Sequence, residues 1–86
     1  MPMQIHVYGK PGCPLCEEAL ELLEDKHPRF LFEVVRHNIL EEAALFEKYR
    51  YDVPVVVIEG IERLRLKFDS QELELALTLS QVPRRE

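Results

Sequence analysis

The chain has 86 residues, of which 47% are apolar and 31% charged, and its formal net charge is −5. This length favours a single domain spanning residues 1–86. A nucleic-acid partner is not expected, because phosphate contacts need clustered lysine and arginine. No apolar run approaches the roughly 20 residues of a membrane helix, so no membrane partner is expected either. We therefore predict a cytoplasmic protein.

The first third of the chain is predicted to form a strand followed by a helix. "MQIHVYG" alternates apolar and polar residues and stops at a glycine, which predicts a half-buried strand. Apolar residues recur at helical spacing from Cys16 to about Lys26. Pro14 suits a first helical position, and the helix should end before Pro28.

The remaining segments predict two helices and three strands. "RFLFEVVRHNI" is a predicted strand, and Asn38 is expected to cap one helix through "NILEEAALFEKYR". "VPVVVIEG" is apolar enough for an interior strand, and "IERLRLKF" alternates like an edge strand with one wet face. Asp69 and Glu72 open a last helix, and "VPRRE" is a predicted frayed tail.

The element order is therefore βαβαββα, which predicts an α/β fold with a four-stranded mixed sheet and helices on both faces. Two cysteines, Cys13 and Cys16, fall between the first strand and the first helix. Ligand sites of open α/β sheets form outside the carboxyl ends of strands, where this order places the pair.

The spacing of the two cysteines favours redox chemistry. Cys13 is expected at the helix N-cap and open to solvent, where the partial positive charge of the helix terminus favours its thiolate. Lys10 is expected to add to this effect. Cys16, one turn into the helix, is expected to be more buried. Cys13 would then attack a disulfide, and Cys16 would resolve the mixed disulfide.

A metal site needs more ligands than this pair supplies, since two sulfurs make half of a tetrahedral zinc site. His6, His27 and His37 lack conventional spacing from the cysteines and are expected to have satisfied or solvated surface roles. No protein-supplied metal is expected. A metal or iron–sulfur carrier that uses the same sulfurs remains the alternative function.

The segments "YGKPGCPLC" and "DVPVVVI" resemble those of small glutaredoxin-like proteins in the thioredoxin superfamily. The resemblance covers nearly the whole chain and implies a thioredoxin fold and thiol–disulfide oxidoreductase activity. It implies that Cys13 is the nucleophile, Cys16 the resolving thiol, and the two together a redox-active disulfide. It also implies a cis-proline at Pro54, which would expose the backbone of Val53 to an extended substrate.

The resemblance also implies partners. Asp69 and Ser70 match positions that hold a glutathione carboxylate, and Arg65 or Lys67 would add a charge contact. The substrate is expected to be a disulfide-containing protein or small molecule. No bound cofactor is expected, and the reductant would be glutathione or a thioredoxin-reductase-type system. Leu15 stands where glutaredoxins typically have an aromatic residue.

Overall fold

The computed structural model describes residues 2–27 and 29–81. The predicted helix boundary at Pro28 and the predicted frayed tail "VPRRE" fall on residues outside these ranges. Among the described residues, no helix has the length and apolar character needed to cross a membrane.

The described residues form four strands and three α-helices, in the predicted order. The elements are β1 (Met3–Gly9), α1 (Pro14–Glu24), β2 (Phe32–Asn38), α2 (Ala43–Tyr49), β3 (Val55–Ile58), β4 (Ile61–Arg65) and α3 (Ser70–Gln81). The sheet order is β2-β1-β3-β4, with β1 and β2 parallel and the other neighbours antiparallel. The predicted fold class and the edge position of β4 are confirmed.

Strand alternation gives each sheet face its own core. Ile5, Val7, Val56 and Ile58 face α1 and α3, where they pack with apolar residues that include Leu23, Leu73 and Leu77. The opposite face carries Val55, with Tyr8 and Val57 packed beside it, and is covered by Ile39 and α2. Because this second cluster also contains Cys13, Cys16 and Val53, the candidate site is an extension of the core on this side.

The prediction of a single helix over "NILEEAALFEKYR" is wrong, because this segment forms two helices. Asn38 caps a 3₁₀ turn, Ile39–Glu41, by accepting a hydrogen bond from the Leu40 N–H at 2.9 Å. Glu42 is extended, with φ −136° and ψ 121°, and it separates that turn from α2. The predicted β4 is also too long, since regular pairing ends at Arg65 and Leu66 has a positive φ of 63°.

Candidate dithiol site

Cys13 lies at the N-cap of α1, as its position before Pro14 predicts. Its backbone is extended, with φ −108° and ψ 107°, and Pro14 occupies the first turn, where a missing N–H removes no hydrogen bond. The Cys16 N–H donates to Cys13 Sγ across 3.2 Å. The sulfur of Cys13 therefore takes the place that a serine or aspartate oxygen usually takes at a helix start.

Both cysteines are unbridged thiols, and both are buried. Cys13 is 8% exposed and Cys16 is 5% exposed. The prediction that Cys13 is open to solvent is wrong, because its side chain turns back over the helix end and packs in the cluster that contains Tyr49 and Val53. The prediction that Cys16 is the more buried of the two holds by a small margin.

The surroundings of Cys16 disfavour its thiolate. Burial and, after it, the hydrogen bond with the Cys13 side chain raise the pKa of the Cys16 thiol from 9.0 to about 11. A backbone hydrogen bond from Lys10, together with the Lys10 charge, acts in the opposite direction. Lys10 therefore favours the thiolate of Cys16, whereas the sequence predicted that Lys10 would favour the thiolate of Cys13.

A cleft of about 470 Å³ opens beside Cys16, between α1, the β1–α1 loop and the end of β2. Its walls carry two cations, Lys10 and Arg36, and two carboxylates, Glu17 and Glu41. The sequence patterns did not predict a place for Arg36, Glu17 or Glu41 in the site. Only the parallel pairing of β1 with β2 brings the end of β2 beside the cysteine loop.

The loop before β3 lies in the same cluster as the cysteines. The Val53–Pro54 peptide bond is cis, and Val53 packs in the cluster that contains Cys13 and Cys16. The Pro54 carbonyl accepts a hydrogen bond from the Leu66 N–H at 2.8 Å. Nearby, Asp52 forms an ion pair with Arg65 at 3.2 Å, so its negative charge has a partner.

Asp69 and Ser70 lie at the start of α3 and line a separate depression with Glu18 and Lys67. Asp69 forms the predicted capping box, in which the Asp69 N–H donates to Glu72 Oε1 at 2.9 Å and the Glu72 N–H donates to Asp69 Oδ1 at 2.8 Å. Ser70 Oγ accepts a hydrogen bond from Lys26 Nζ. Their polar groups are thus used within the fold, and neither residue lines the cleft beside Cys16.

Arg65 and Lys67, the two cations expected to add a charge contact with glutathione, also form ion pairs within the protein. Arg65 contacts Glu62 as well as Asp52, and Lys67 lies 3.4 Å from Glu18. These contacts make both side chains parts of surface ion pairs.

A pair of histidines on neighbouring strands was not predicted from the sequence. His6 Nδ1 and His37 Nε2 lie 2.7 Å apart and are partly buried, and the Tyr8 ring stacks on His37 with ring centroids 4.5 Å apart. The missing signal was the strand register, in which Tyr8 is paired with His37. The described residues contain no group of three or more histidine, cysteine or acidic side chains placed to hold a metal ion.

A family model described as "Glutaredoxin-like domain (DUF836)" matches residues 4–78. The chain belongs to this glutaredoxin-like family. It is 29% identical over 77 residues to "Glutaredoxin-like protein YDR286C homolog" of Dictyostelium discoideum, a match that covers 83% of this chain and 71% of the relative.

Solved structures share the fold of this glutaredoxin-like chain. Protein Ne2328 of Nitrosomonas europaea is 32% identical with a TM-score of 0.76, over 90% of this chain and 93% of that one. A mutant thioredoxin of Halobacterium salinarum, 16% identical, has a TM-score of 0.70 over 96% of this chain and 78% of its own. The predicted thioredoxin fold is therefore confirmed, and the family membership supports a redox-type role.

Proposed function

We propose that this glutaredoxin-like chain is a thiol–disulfide oxidoreductase that uses Cys13 and Cys16. The observation that carries the proposal is the asymmetry of the pair at one helix terminus. Cys13 Sγ accepts the Cys16 N–H at the positive end of α1, whereas burial raises the pKa of Cys16 to about 11. A thiol sulfur that accepts a hydrogen bond at the helix terminus, beside a partner that stays protonated until it is needed, suits a two-step exchange.

The first step forms a mixed disulfide. The Cys13 thiolate attacks one sulfur of a substrate disulfide, the substrate S–S bond breaks, and the other substrate sulfur leaves as a thiolate that takes up a proton. Cys16 then loses its proton and attacks Cys13 Sγ, and the second substrate thiolate leaves. The substrate gains two electrons and two protons, and the protein keeps a Cys13–Cys16 disulfide.

A second thiol system must return the two electrons to the protein. We propose glutathione or a thioredoxin-reductase-type system as the donor, in agreement with the family resemblance. Two glutathione molecules, or one protein dithiol, would reduce the Cys13–Cys16 disulfide and leave as the corresponding disulfide.

We propose that the substrate contacts Val53 and Pro54. Val53 packs in the cluster that contains both cysteines, and Pro54 follows it directly before β3, so an extended chain laid along this loop would bring its disulfide to Cys13. Lys10 is assigned to electrostatic support of Cys16. A substrate contact by Asp69 or Ser70 remains a prediction.

Single-cysteine variants test the proposal. We expect Cys13→Ser to lose reduction of insulin disulfides by at least about 100-fold, because a serine hydroxyl is not ionised near neutral pH. Cys16→Ser should still react once and should accumulate a mixed disulfide on Cys13 that mass spectrometry detects. Full activity of Cys13→Ser, or a trapped adduct on Cys16 of that variant, would show that the assigned nucleophile is wrong.

A further inference from the structure

Leu66 has an unusual backbone conformation beside the candidate site. Its φ is 63°, in the left-handed region that glycine occupies easily and that a bulky side chain rarely adopts. Such outliers persist only where the surrounding structure holds them, and they are concentrated at functional positions. The position therefore needs a physical explanation.

Two contacts hold the backbone at this point. The Leu66 N–H donates to the Pro54 carbonyl at 2.8 Å, and the neighbouring Arg65 pairs with Asp52 at 3.2 Å. The end of β4 is thus tied to the loop that contains Val53 and Pro54. These contacts explain the backbone conformation, but they do not require a large apolar side chain at Leu66.

Burial does not explain the side chain either, since Leu66 is 41% exposed. Tyr51, on the tied loop, is 78% exposed. Two large apolar or aromatic side chains are therefore accessible on the two segments that border Val53 and Pro54. Accessible apolar side chains at this point favour contact with an apolar residue of the substrate.

We infer that Leu66 is a specificity-determining residue, which selects polypeptide disulfides that carry apolar side chains next to the reacting cysteine. This inference rests on the proposed oxidoreductase function. Leu66 acts by contact with the residue that flanks the substrate cysteine, and it takes no part in the exchange of sulfurs. Its loss should therefore change the choice between substrates more than it changes the chemistry.

The test compares two symmetrical peptide disulfides, formed from acetyl-Leu-Cys-Leu-amide and acetyl-Ser-Cys-Ser-amide. Single-turnover oxidation of the reduced protein by each peptide gives a second-order rate constant without any electron donor. The ratio of the two constants measures selectivity. We expect the unmodified protein to prefer the leucine peptide, and Leu66→Gly to reduce the ratio about ten-fold, the scale of one lost apolar contact in a pocket.

Three further variants separate selectivity from backbone effects. Leu66→Asn tolerates the left-handed conformation and should lose selectivity like Leu66→Gly, whereas Leu66→Met should keep it. Glu59→Gly is the matched control, because Glu59 is the other described non-glycine residue with positive φ, at 51°, and lies in the β3–β4 turn. Its ratio should equal that of the unmodified protein.

An unchanged ratio in Leu66→Gly would overturn the inference, and so would an equal loss in Glu59→Gly. Equal slowing with both peptides would indicate a structural role and would also overturn it. Failure of the proposed function has a different signature, in which neither peptide oxidises the reduced unmodified protein. In that case the inference fails together with the function on which it rests.

Discussion

Gly9, the last residue of β1, makes room for the sulfur of Cys16. A Cβ atom added at Gly9 would lie 3.0 Å from Cys16 Sγ and 3.3 Å from Cys16 Cβ, closer than nearly all real contacts of this kind. The α1 helix holds the Cys16 backbone, so the thiol itself would have to move. Glycine at this position therefore supports the placement of the second thiol.

We expect Gly9→Ala to weaken closure of the Cys13–Cys16 disulfide about five-fold, because moving the Cys16 side chain off its preferred rotamer costs about 1 kcal/mol. Titration of the protein in dithiol redox buffers measures this equilibrium. Gly60→Ala, at a turn with φ 81°, is the control that should destabilise the fold without affecting closure. Equal closure constants in Gly9→Ala and the unmodified protein would contradict the prediction.

Sequence patterns predict the reactive cysteines of the site better than they predict the residues that surround them. The position of Cys13 before Pro14 predicts the N-cap, because proline is favoured in the first helical turn. Its burial could not be predicted, since it depends on Tyr49 and Val53, which only the folded chain brings to the helix end. The His6–His37 pair depends in the same way on strand register.

At the scale of elements, a small polar network joins α3 to the segment that follows α1. Lys26 is buried, and its Nζ donates to Ser70 Oγ at 2.8 Å and to Glu74 Oε1 at 3.2 Å. Arg29 forms a second ion pair with Glu74 at 2.8 Å. Because a buried ammonium needs partners, Glu74 contributes more than an isolated surface charge would.

We expect Glu74→Ala to lower the Tm by about 5 °C, because Lys26 would lose a charged partner. Hydrogen bonds from Lys26 and then Arg29 lower the pKa of the Glu74 carboxyl, so its stabilising effect is present above its unfolded value of 4.5. That effect is lost as the pH falls through the lower folded value. Thermal unfolding followed by circular dichroism at neutral and acidic pH measures both effects.

Glu47→Ala is the control for that experiment, since Glu47 is an exposed residue of α2 with no ion pair among the described residues. Its Tm should be nearly unchanged. An equal Tm for Glu74→Ala and the unmodified protein would contradict the role of the network, as would a difference that persists undiminished in acid.

The order of elements follows from sequence periodicity, and the boundaries follow from local contacts. The capping box of Asp69 and Glu72 was predictable because both partners lie within one helical turn. The break at Glu42 was not, because a single extended residue leaves the apolar spacing on either side unchanged. The early end of β4 has a similar cause, since Leu66 is held by the distant Pro54 carbonyl.

At the scale of the whole molecule, the sheet order brings together three segments that are distant in the chain. The cysteine loop follows β1, the cis-proline loop precedes the antiparallel β3, and both lie at the carboxyl end of β1. The carboxyl end of β2 lies at the same end of the sheet, because β2 is parallel to β1. The site is thus a consequence of topology, with the chemical asymmetry set by one helix terminus and the adjoining core.

Competitive alkylation of the reduced protein tests this asymmetry most directly. A thiol with a pKa of about 11 is ionised in about one molecule in 10⁴ at neutral pH, so Cys16 should react slowly there. With limiting iodoacetamide and peptide mapping, we expect Cys13 to carry at least about ten times more label than Cys16, and labelling of Cys16 to rise steeply toward pH 11. Equal or preferential labelling of Cys16 at neutral pH would contradict the account.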